Sequence, residues 1–498
     1  MTIFLRAVLA LTLGTTLAGC MVGPDFRRPE PPAPVRYTET PIPDQTAAAP
    51  VKGGEAQRFV AGGDLPAQWW KLFNSAPLDQ LVRDALAGSP TLTAAQATLS
   101  QARENLTAER GALLLPQVDG SLSATRQKIT GASFGQPGAP SSIFSLYNAS
   151  VNVSYALDAF GGNRRELEGL QALVDFQSFQ FEGARLSLTA NVVTTAIREA
   201  QLRAQLAATQ EILAAEQKQV DLIQKQFELG AVARLTVTAQ RTQVEQTRAL
   251  LPPLERDLAK TRHQLAVLSG KLPSEATLPE FDLDVIGLPL DLPVSVPSAL
   301  TRQRPDVQAA EALLHQASAQ IGVATANEYP KINLTGSTGL QSLQLHSLFG
   351  GPAIWSIGAG LLQPLFHGGE LEARRRAAVA AYDQADAQYR QTVLLAFQNV
   401  ADALRALEAD ARALKAQADA TAFARETLDL TQRQYQLGGT GIIALLIAQQ
   451  QFQLERLNLV TAQSARYADT AALFQALGGG WWNADAAPVA VSADSKTQ

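Results

Sequence analysis

The chain has 498 residues, of which 41 are basic and 46 are acidic, and its formal net charge is −5. This balance, with no basic cluster in which aromatic residues are interleaved, argues against nucleic acid as a partner. Cys20 is the only cysteine, so no disulfide framework forms within one chain. After the first 20 residues no run of 18 apolar residues occurs. The sequence therefore predicts no transmembrane helix after processing.

Residues 1–19 have the pattern of a secretion signal. Arg6 supplies a positive charge, and residues 7–16 form an apolar segment that is too short to span a bilayer. Residues 17–20 (Leu-Ala-Gly-Cys) resemble a bacterial lipobox, in which the cysteine is diacylated and becomes the mature N-terminus. We therefore expect Cys20 to carry lipid. The alternative is an ordinary secretion signal in which Cys20 has no such role.

Two long stretches without proline dominate the mature chain. Residues 163–229 and 370–437 are rich in Ala, Leu, Gln, Arg and Glu, which predicts two continuous helices. At about 1.5 Å per residue each helix would extend roughly 100 Å. The two runs are followed by Gly230 and Gly438, and similar glycine corners come before them. The chain is therefore predicted to be a tandem duplication.

Before each long helix the hydrophobic period changes to that of β-strands. The strands are predicted at about 117–129 and 144–157 in the first repeat, and at about 331–343 and 353–362 in the second. Each strand has an apolar side and a side of small polar residues, which is typical of a transmembrane β-barrel. The alternative is a soluble two-sheet sandwich. The aromatic residues expected at the membrane interface are Tyr147, Tyr155 and Trp355.

Four strands cannot close a barrel, and open strand edges are not tolerated in lipid. The chain is therefore expected to oligomerise through its strands. Two copies would give a lumen filled by side chains, whereas three would leave room for a channel. An Ala-rich seam at coiled-coil spacing indicates close packing of the long helices. A long soluble coiled coil that carries a small hairpin is the alternative.

Several short motifs in a fixed order carry a family resemblance. They are residues 22–26 (Val-Gly-Pro-Asp-Phe), 69–73 (Trp-Trp-Lys-Leu-Phe), 304–307 (Arg-Pro-Asp-Val), 363–369 (Gln-Pro-Leu-Phe-His-Gly-Gly) and 477–481 (Leu-Gly-Gly-Gly-Trp). With the lipobox, they make the chain similar to the TolC-like outer membrane factor family. More narrowly, it resembles the NodT-type efflux outer membrane lipoproteins. The resemblance covers essentially the whole mature chain.

The resemblance implies a fold that is mostly α with a membrane β-barrel. A homotrimer would form a twelve-stranded barrel in the outer membrane, continued by a long α-helical periplasmic cylinder with an equatorial collar. It would be the lipid-anchored exit duct of a tripartite efflux pump, and would passively conduct small organic substrates such as drugs and toxic compounds. Its partners would be a periplasmic adaptor (membrane fusion protein) and an inner-membrane pump, commonly of the resistance-nodulation-division type. No enzymatic activity and no cofactor are implied.

Other functions remain open from the sequence. The duct could serve metal-ion or protein export with another inner-membrane engine, although only Met1 and Met21 could supply thioether ligands. A protein of another class, a lipid-anchored periplasmic helical scaffold or hydrolase, would need a concave site. The four histidines are scattered without metal-ligand spacing, and Asp282 and Asp284 are predicted to be merely solvated.

The expected domain limits follow from the repeats and from composition. They are a signal peptide (1–19), a lipidated N-terminal arm (20–66), a first repeat (67–270), a collar segment (271–300), a second repeat (301–480) and a C-terminal tail (481–498), which we expect to be disordered.

By position, the resemblance places adaptor contacts at the two helix-turn-helix tips. The tip residues are Gly230, Arg234, Leu235, Thr236, Gly438, Gly439, Thr440 and Ile442. Many family members carry Asp a few residues beyond the second tip, where such carboxylates help to close the periplasmic aperture. This chain has Ile447 at that position. A carboxylate ring at that position is therefore in question; closure by apolar contact is one alternative, and the sequence leaves the manner of closure open.

Overall fold

A computed structural model describes residues 21–130 and 140–483 apart from Ala33, together with Gly135 and Gly138. The predictions for the signal peptide, for Cys20 and for the tail beyond Asn483 lie outside these residues. Most of the described chain is helical. Within it, no helix is both long enough and apolar enough to cross a membrane.

The helices alternate with two groups of strands along the chain. The helices are α1 (Ala76–Gly88), α2 (Pro90–Leu114), α3 (Gly162–Glu228), α4 (Arg234–Ala249), α5 (Leu251–Leu268), α6 (Pro297–Gln303), α7 (Pro305–Ala326), α8 (Glu370–Gln436) and α9 (Ile442–Ala476). The strands are β1 (Arg58–Ala61), β2 (Gln117–Ile129), β3 (Ser142–Leu157), β4 (Asp291–Val294), β5 (Lys331–Ser342) and β6 (Ala353–Leu362). Short 3₁₀ turns cover Trp69–Phe73, Leu345–Gly350 and Trp481–Asn483.

Proline explains the main difference between the two repeats. Helices α3 and α8 have 67 residues each and contain no proline. After α3, the returning chain is divided at Leu250 into α4 and α5, because Pro252 and Pro253 fit only the first turn of a helix. After α8, the proline-free α9 continues for 35 residues. The returning segment is therefore broken at the prolines in the first repeat and continuous in the second.

The first of two compact units contains residues 21–29, 98–178 and 309–390. Its strands form one antiparallel sheet in the order β2-β3-β5-β6. The predicted strand ranges differ from the observed ones by at most two residues. Beside the sheet, Leu99, Leu106 and Val174 form a small hydrophobic cluster between α2 and α3.

The second compact unit contains residues 30–97, 179–308 and 391–483. Here β1, in the N-terminal arm, pairs in parallel with β4, in the collar segment. Trp69, Phe73 and Phe474 pack edge to face or tilted, with ring centroids 5.8 to 6.4 Å apart, in the core of this unit.

Asp284 of the collar segment lies at the surface, with 79% of its side chain exposed, and it also forms a salt bridge with Lys52 of the arm. The two residues are 232 positions apart, so sequence spacing gave no indication of this contact.

Candidate functional site

The sheet of the first unit has an apolar face that is exposed to solvent. The register places Leu122 opposite Ala149, Ala149 opposite Leu340, and Leu340 opposite Ala353. Apolar residues of all four strands therefore share one side. The large exposed apolar side chains on this side are Val118, Leu122, Ile143, Val151, Val153, Leu157, Leu334, Trp355, Ile357 and Leu361. A contiguous apolar patch of this kind marks a surface that contacts lipid or another protein.

The opposite side of the sheet carries small polar side chains. The hydroxyl groups of Ser121 and Ser150 are 2.8 Å apart, and those of Ser337 and Ser356 are also 2.8 Å apart. The Asn152 amide donates to Ser121 at 3.1 Å. This side thus offers hydroxyl and amide groups rather than a packed apolar core. It has the chemistry that a water-filled lumen requires.

Both edges of the sheet are formed by long strands. β2 has 13 residues and β6 has 10, and each pairs with a neighbour on one side only. An edge of this length leaves a row of backbone N–H and C=O groups without partners, which is costly in an apolar environment. Each edge is therefore open to pairing with a further strand.

The predicted interface aromatics all lie on the apolar side. Tyr155 is near the C-terminal end of β3, whereas Tyr147 is its sixth residue; both are half-buried and pair with Leu334 and Ala124, respectively. Trp355 on β6 is 75% exposed. The positions of Tyr155 and Trp355 toward strand ends fit an interfacial role, which stays a prediction.

The two helix tips in the second unit have the same backbone geometry. α3 is followed by Gly230 in a left-handed conformation (φ 74°), and the Ala231 N–H donates to the Gln226 carbonyl at 2.8 Å. α8 is followed by Gly438 (φ 78°), and the Gly439 N–H donates to the Gln434 carbonyl at 2.8 Å. This is the Schellman arrangement in which glycine is preferred. The similarity agrees with a duplicated origin of the two tips.

The tips expose large apolar side chains. Of the predicted contact residues, Arg234 and Leu235 are exposed, whereas Thr236, Thr440 and Ile442 are half-buried. Sequence reasoning missed the neighbouring Leu229 (85% exposed), Leu437 (87%) and Ile443 (70%). A leucine directly before each of the two turn glycines was the available signal. These side chains and Leu235 give both tips a surface suited to an apolar partner.

Behind the tips lies a hydrogen-bonded layer of amide side chains, in which Gln240 and Gln243 are buried, Gln449 is half-buried and Gln450 is exposed. The glutamine pairs of α4 and α9 are Gln240 with Gln449 (3.2 Å) and Gln243 with Gln450 (2.8 Å). Gln243 also donates to Glu216 of α3 at 3.1 Å, and burial raises the pKa of the Glu216 carboxyl. Sequence reasoning missed this layer, because glutamine on a helix is usually solvated. Ile447 lies on α9 near this layer in sequence and is 61% exposed.

Replacement of Gly438 by alanine is expected to destabilise the second tip by about 1 to 2 kcal/mol, because a residue with a Cβ is strained at positive φ. The midpoint of thermal unfolding should fall accordingly. Gly439 is the matched control, since its φ is not in the left-handed region and an added Cβ would meet only ordinary contacts. An equal loss of stability in Gly439→Ala would contradict this explanation.

Comparison with known proteins identifies the family to which this chain belongs. The family model "Outer membrane efflux protein" matches residues 81–271 and 296–479. The chain belongs to that family. The two matched segments also confirm the predicted duplication.

Individual relatives extend the match over nearly the whole chain. The toluene efflux pump outer membrane protein TtgC of Pseudomonas putida is 31% identical over 489 residues, which is 96% of this chain and 95% of TtgC. Nodulation protein T of Rhizobium leguminosarum bv. trifolii is 28% identical over 451 residues, or 90% of this chain and 91% of that protein. The solved structure of the outer-membrane channel OprN has a TM-score of 0.82 and 28% identity, and the match covers 93% of this chain and all of that one.

The family membership confirms the predicted TolC-like fold, location and general function. The protein is an outer-membrane efflux channel with a periplasmic helical portion. As the outer-membrane component of an efflux pump, it works with the pump's other components. The family is one of ducts rather than of enzymes.

Proposed function

We propose that the protein is a homotrimer that forms the passive exit duct of a tripartite pump for small organic compounds. Three four-stranded sheets would close a twelve-stranded barrel in the outer membrane, and the long helices would continue it as a periplasmic cylinder. The observation that carries this proposal is the sheet with an exposed apolar face and two open edges. Two copies would fill the lumen with side chains, whereas three leave a channel.

The chemistry of the inner sheet face supports organic substrates. Serine hydroxyl groups and the Asn152 amide dominate this face and suit neutral solutes that are in passage rather than tightly bound. TtgC, the relative with 31% identity, belongs to a toluene efflux pump. We infer drugs and toxic organic compounds as the substrate class. The duct conducts and catalyses no reaction.

The N-terminal arm supports a lipid anchor at Cys20. The Val22 N–H donates to the Phe160 carbonyl at 3.1 Å, just beyond the end of β3. This contact holds the residues after Cys20 close to the end of the sheet. Acyl chains on Cys20 would therefore enter the same bilayer as the strands.

The helix tips support docking to a periplasmic adaptor. Leu229, Leu235, Leu437 and Ile443 are exposed apolar side chains next to glycine turns that hold both tips in one geometry. An adaptor with an apolar helical surface would bury them. The adaptor would connect the duct to an inner-membrane pump of the resistance-nodulation-division type, which supplies the energy.

Single-channel conductance in planar bilayers, measured together with the mass of the purified protein in detergent, tests this function. We expect a trimer mass and discrete conductance steps, because only closed strands produce a stable pore. A monomer without conductance would contradict the duct and leave an anchored helical scaffold.

Substitution of Ile447 by aspartate tests the proposed aperture. In a trimer the change introduces a ring of three carboxylates, which should raise the cation-to-anion permeability ratio several-fold. Leu454→Asp is the control, because Leu454 is also exposed on α9 but lies about two helical turns away. Since Leu454 lies on the same face of α9 as Ile447, equal permeability ratios for the two variants would show that the lumen is no narrower at Ile447 than at Leu454.

A further inference from the structure

The charged residues of the four-stranded sheet are divided unevenly between its two sides. They are Asp119, Arg126 and Lys128 in β2 and Lys331 in β5, whereas β3 and β6 have none. Asp119 is opposite Asn152, which places it on the polar side, and Lys331 lies on the same side because it is six positions from Ser337 in β5. The polar side thus carries one charge of each sign.

The other two charged residues lie on the apolar side. β2 pairs with β3 along its 13 residues without a bulge, so its side chains alternate strictly between the two sides. Arg126 and Lys128 therefore share the side of Leu122. Both are exposed, and neither forms a salt bridge with another described residue. Among the residues of the four strands, they are the only charges on the apolar side, and both are positive.

The two cations lie just beyond the apolar band. On this side of β3, Tyr147 and Tyr155 are eight positions apart, or about 27 Å along a tilted strand, which is comparable with the apolar band of about 25 Å in outer-membrane barrels. The residues between them on this side are Ala149, Val151 and Val153. Arg126 is opposite Ser145, one row past Tyr147, and Lys128 is one row further out.

The direction of the chain identifies this end of the sheet as the outer one. β2 follows α2, and β3 leads into α3, so both strands join their helices at the end away from Lys128. The helical portion of the protein is periplasmic. Arg126 and Lys128 therefore lie at the level of the headgroups of the outer leaflet.

We propose that Arg126 and Lys128 bind the phosphate groups of a lipid of the outer leaflet, a phosphorylated glycolipid with several acyl chains. Its acyl chains lie along the apolar side of the strands, and its phosphates contact the two cations. The outer leaflet of an outer membrane consists largely of such glycolipids, whereas phospholipids fill the inner leaflet. The site rests on the proposed position of the strands in the membrane, and it gives the outer wall of the duct a ligand that conduction does not require.

The chemistry of the site suits phosphate. Residues two positions apart on one side of a strand are about 7 Å apart, so both long side chains can reach the phosphates of one lipid. Arginine binds phosphate through two parallel N–H donors, and lysine adds a compact positive charge. The half-buried Ser145, opposite Arg126, offers a hydroxyl donor beside them. The lack of acidic residues on this side of the strands favours an anionic headgroup.

Lipid binding to the full-length protein in detergent tests the site. In native mass spectrometry with added diphosphoryl lipid A, Arg126→Gln and Lys128→Gln should each weaken binding roughly fivefold, and the double variant about thirtyfold. Lys331→Gln is the matched control, because it removes an equal charge from the opposite side of the sheet at its other end. Wild-type affinity in the double variant, or equal weakening in Lys331→Gln and Arg126→Gln, would overturn the site.

A comparison of lipids tests the identity of the occupant. Phosphatidylglycerol carries a single phosphate group and should bind roughly fivefold less tightly than diphosphoryl lipid A, because it cannot occupy both cations equally well. Equal affinities would overturn the assignment to an outer-leaflet glycolipid. An acidic protein that copurifies with the wild type in place of lipid, and is lost from the double variant, would overturn lipid as the occupant.

Mass and conductance separate this site from the proposed function. A double variant that stays oligomeric and conducts, but binds lipid A as the wild type does, overturns the lipid site alone. A wild-type protein that is monomeric and does not conduct overturns the proposed function. If the double variant loses its oligomeric mass, the two single variants decide, and wild-type affinity in both of them would overturn the site.

Discussion

Replacing Arg466 with methionine is expected to release the N-terminal arm from α9. Arg466 is fully buried, and its guanidinium donates to the carbonyls of Gly53 (2.7 Å) and Glu55 (3.0 Å), the Gln57 amide oxygen (2.9 Å) and the Thr46 hydroxyl (3.1 Å). Burial lowers the pKa of this guanidinium. The planar guanidinium of Arg466 thus binds several acceptors of the arm, a segment with little regular secondary structure.

The expected loss is about 3 to 5 kcal/mol, because the substitution leaves several buried acceptors without a donor. The midpoint of thermal unfolding should fall, and limited proteolysis should cut the arm between Thr46 and Gln57. Arg466→Lys should lie between wild type and Arg466→Met, since lysine keeps the charge but cannot reach acceptors in this fork geometry.

Arg425, an exposed residue of α8, provides the matched control. Arg425→Met removes an equal charge and should leave both the melting temperature and the proteolysis of the arm unchanged. If protease cut the arm of Arg466→Met no faster than the arm of the wild type, β1 and the other arm contacts would be sufficient to hold it.

The contacts of the N-terminal arm could not be predicted from the sequence. Residues 20–66 were predicted as an N-terminal arm, and β1 is the one strand in the part of this arm that the structure describes. The arm's binding site could not be predicted, because Arg466 is 413 residues from Gly53 and sits in a helix whose other polar residues are mostly accessible. The salt bridge between Lys52 and Asp284 was not predicted, for the same reason. Contacts between distant segments leave no periodic signal in one sequence.

Local features were predictable because each has a local cause. The alternation of apolar and small polar residues defined β2, β3, β5 and β6, and the register then placed their apolar residues on one side. The glycines after α3 and α8 adopt the left-handed conformation that ends a helix. The exposed leucines at the tips were missed, because an apolar residue at a helix end is equally compatible with burial.

The last prediction concerns two carboxyl groups that face each other between α8 and α9. Burial and then the hydrogen bond with Asp410 raise the pKa of Asp469 to about 7, since the protonated Asp469 donates to Asp410. The pair lies near Arg466, and Asp469 also lines a cavity of about 420 Å³ with Arg304 and Asp402. An unfolded aspartate has a pKa of about 3.9, so the folded state binds this proton more tightly.

The proton on Asp469 therefore contributes to the free energy of unfolding. Its contribution is complete below about pH 4 and is lost as the pH rises through about 7. Asp469→Asn keeps an amide donor for Asp410 but cannot ionise. The variant should therefore be more stable than wild type at pH 8 by about 1 to 2 kcal/mol, a value reduced because the Asp469 side chain is partly exposed. Its advantage should disappear at pH 4.

Thermal unfolding of the full-length protein in detergent between pH 4 and pH 8 measures this difference. Asp419→Asn removes an exposed carboxylate from α8 and should leave the wild-type pH dependence unchanged. If Asp469→Asn followed the wild-type curve, the carboxyl pair would not bind a proton more tightly in the folded state. If the melting temperature depended less on pH in Asp469→Asn but not in Asp419→Asn, part of the loss of stability above pH 5 would be due to the proton shared by Asp469 and Asp410.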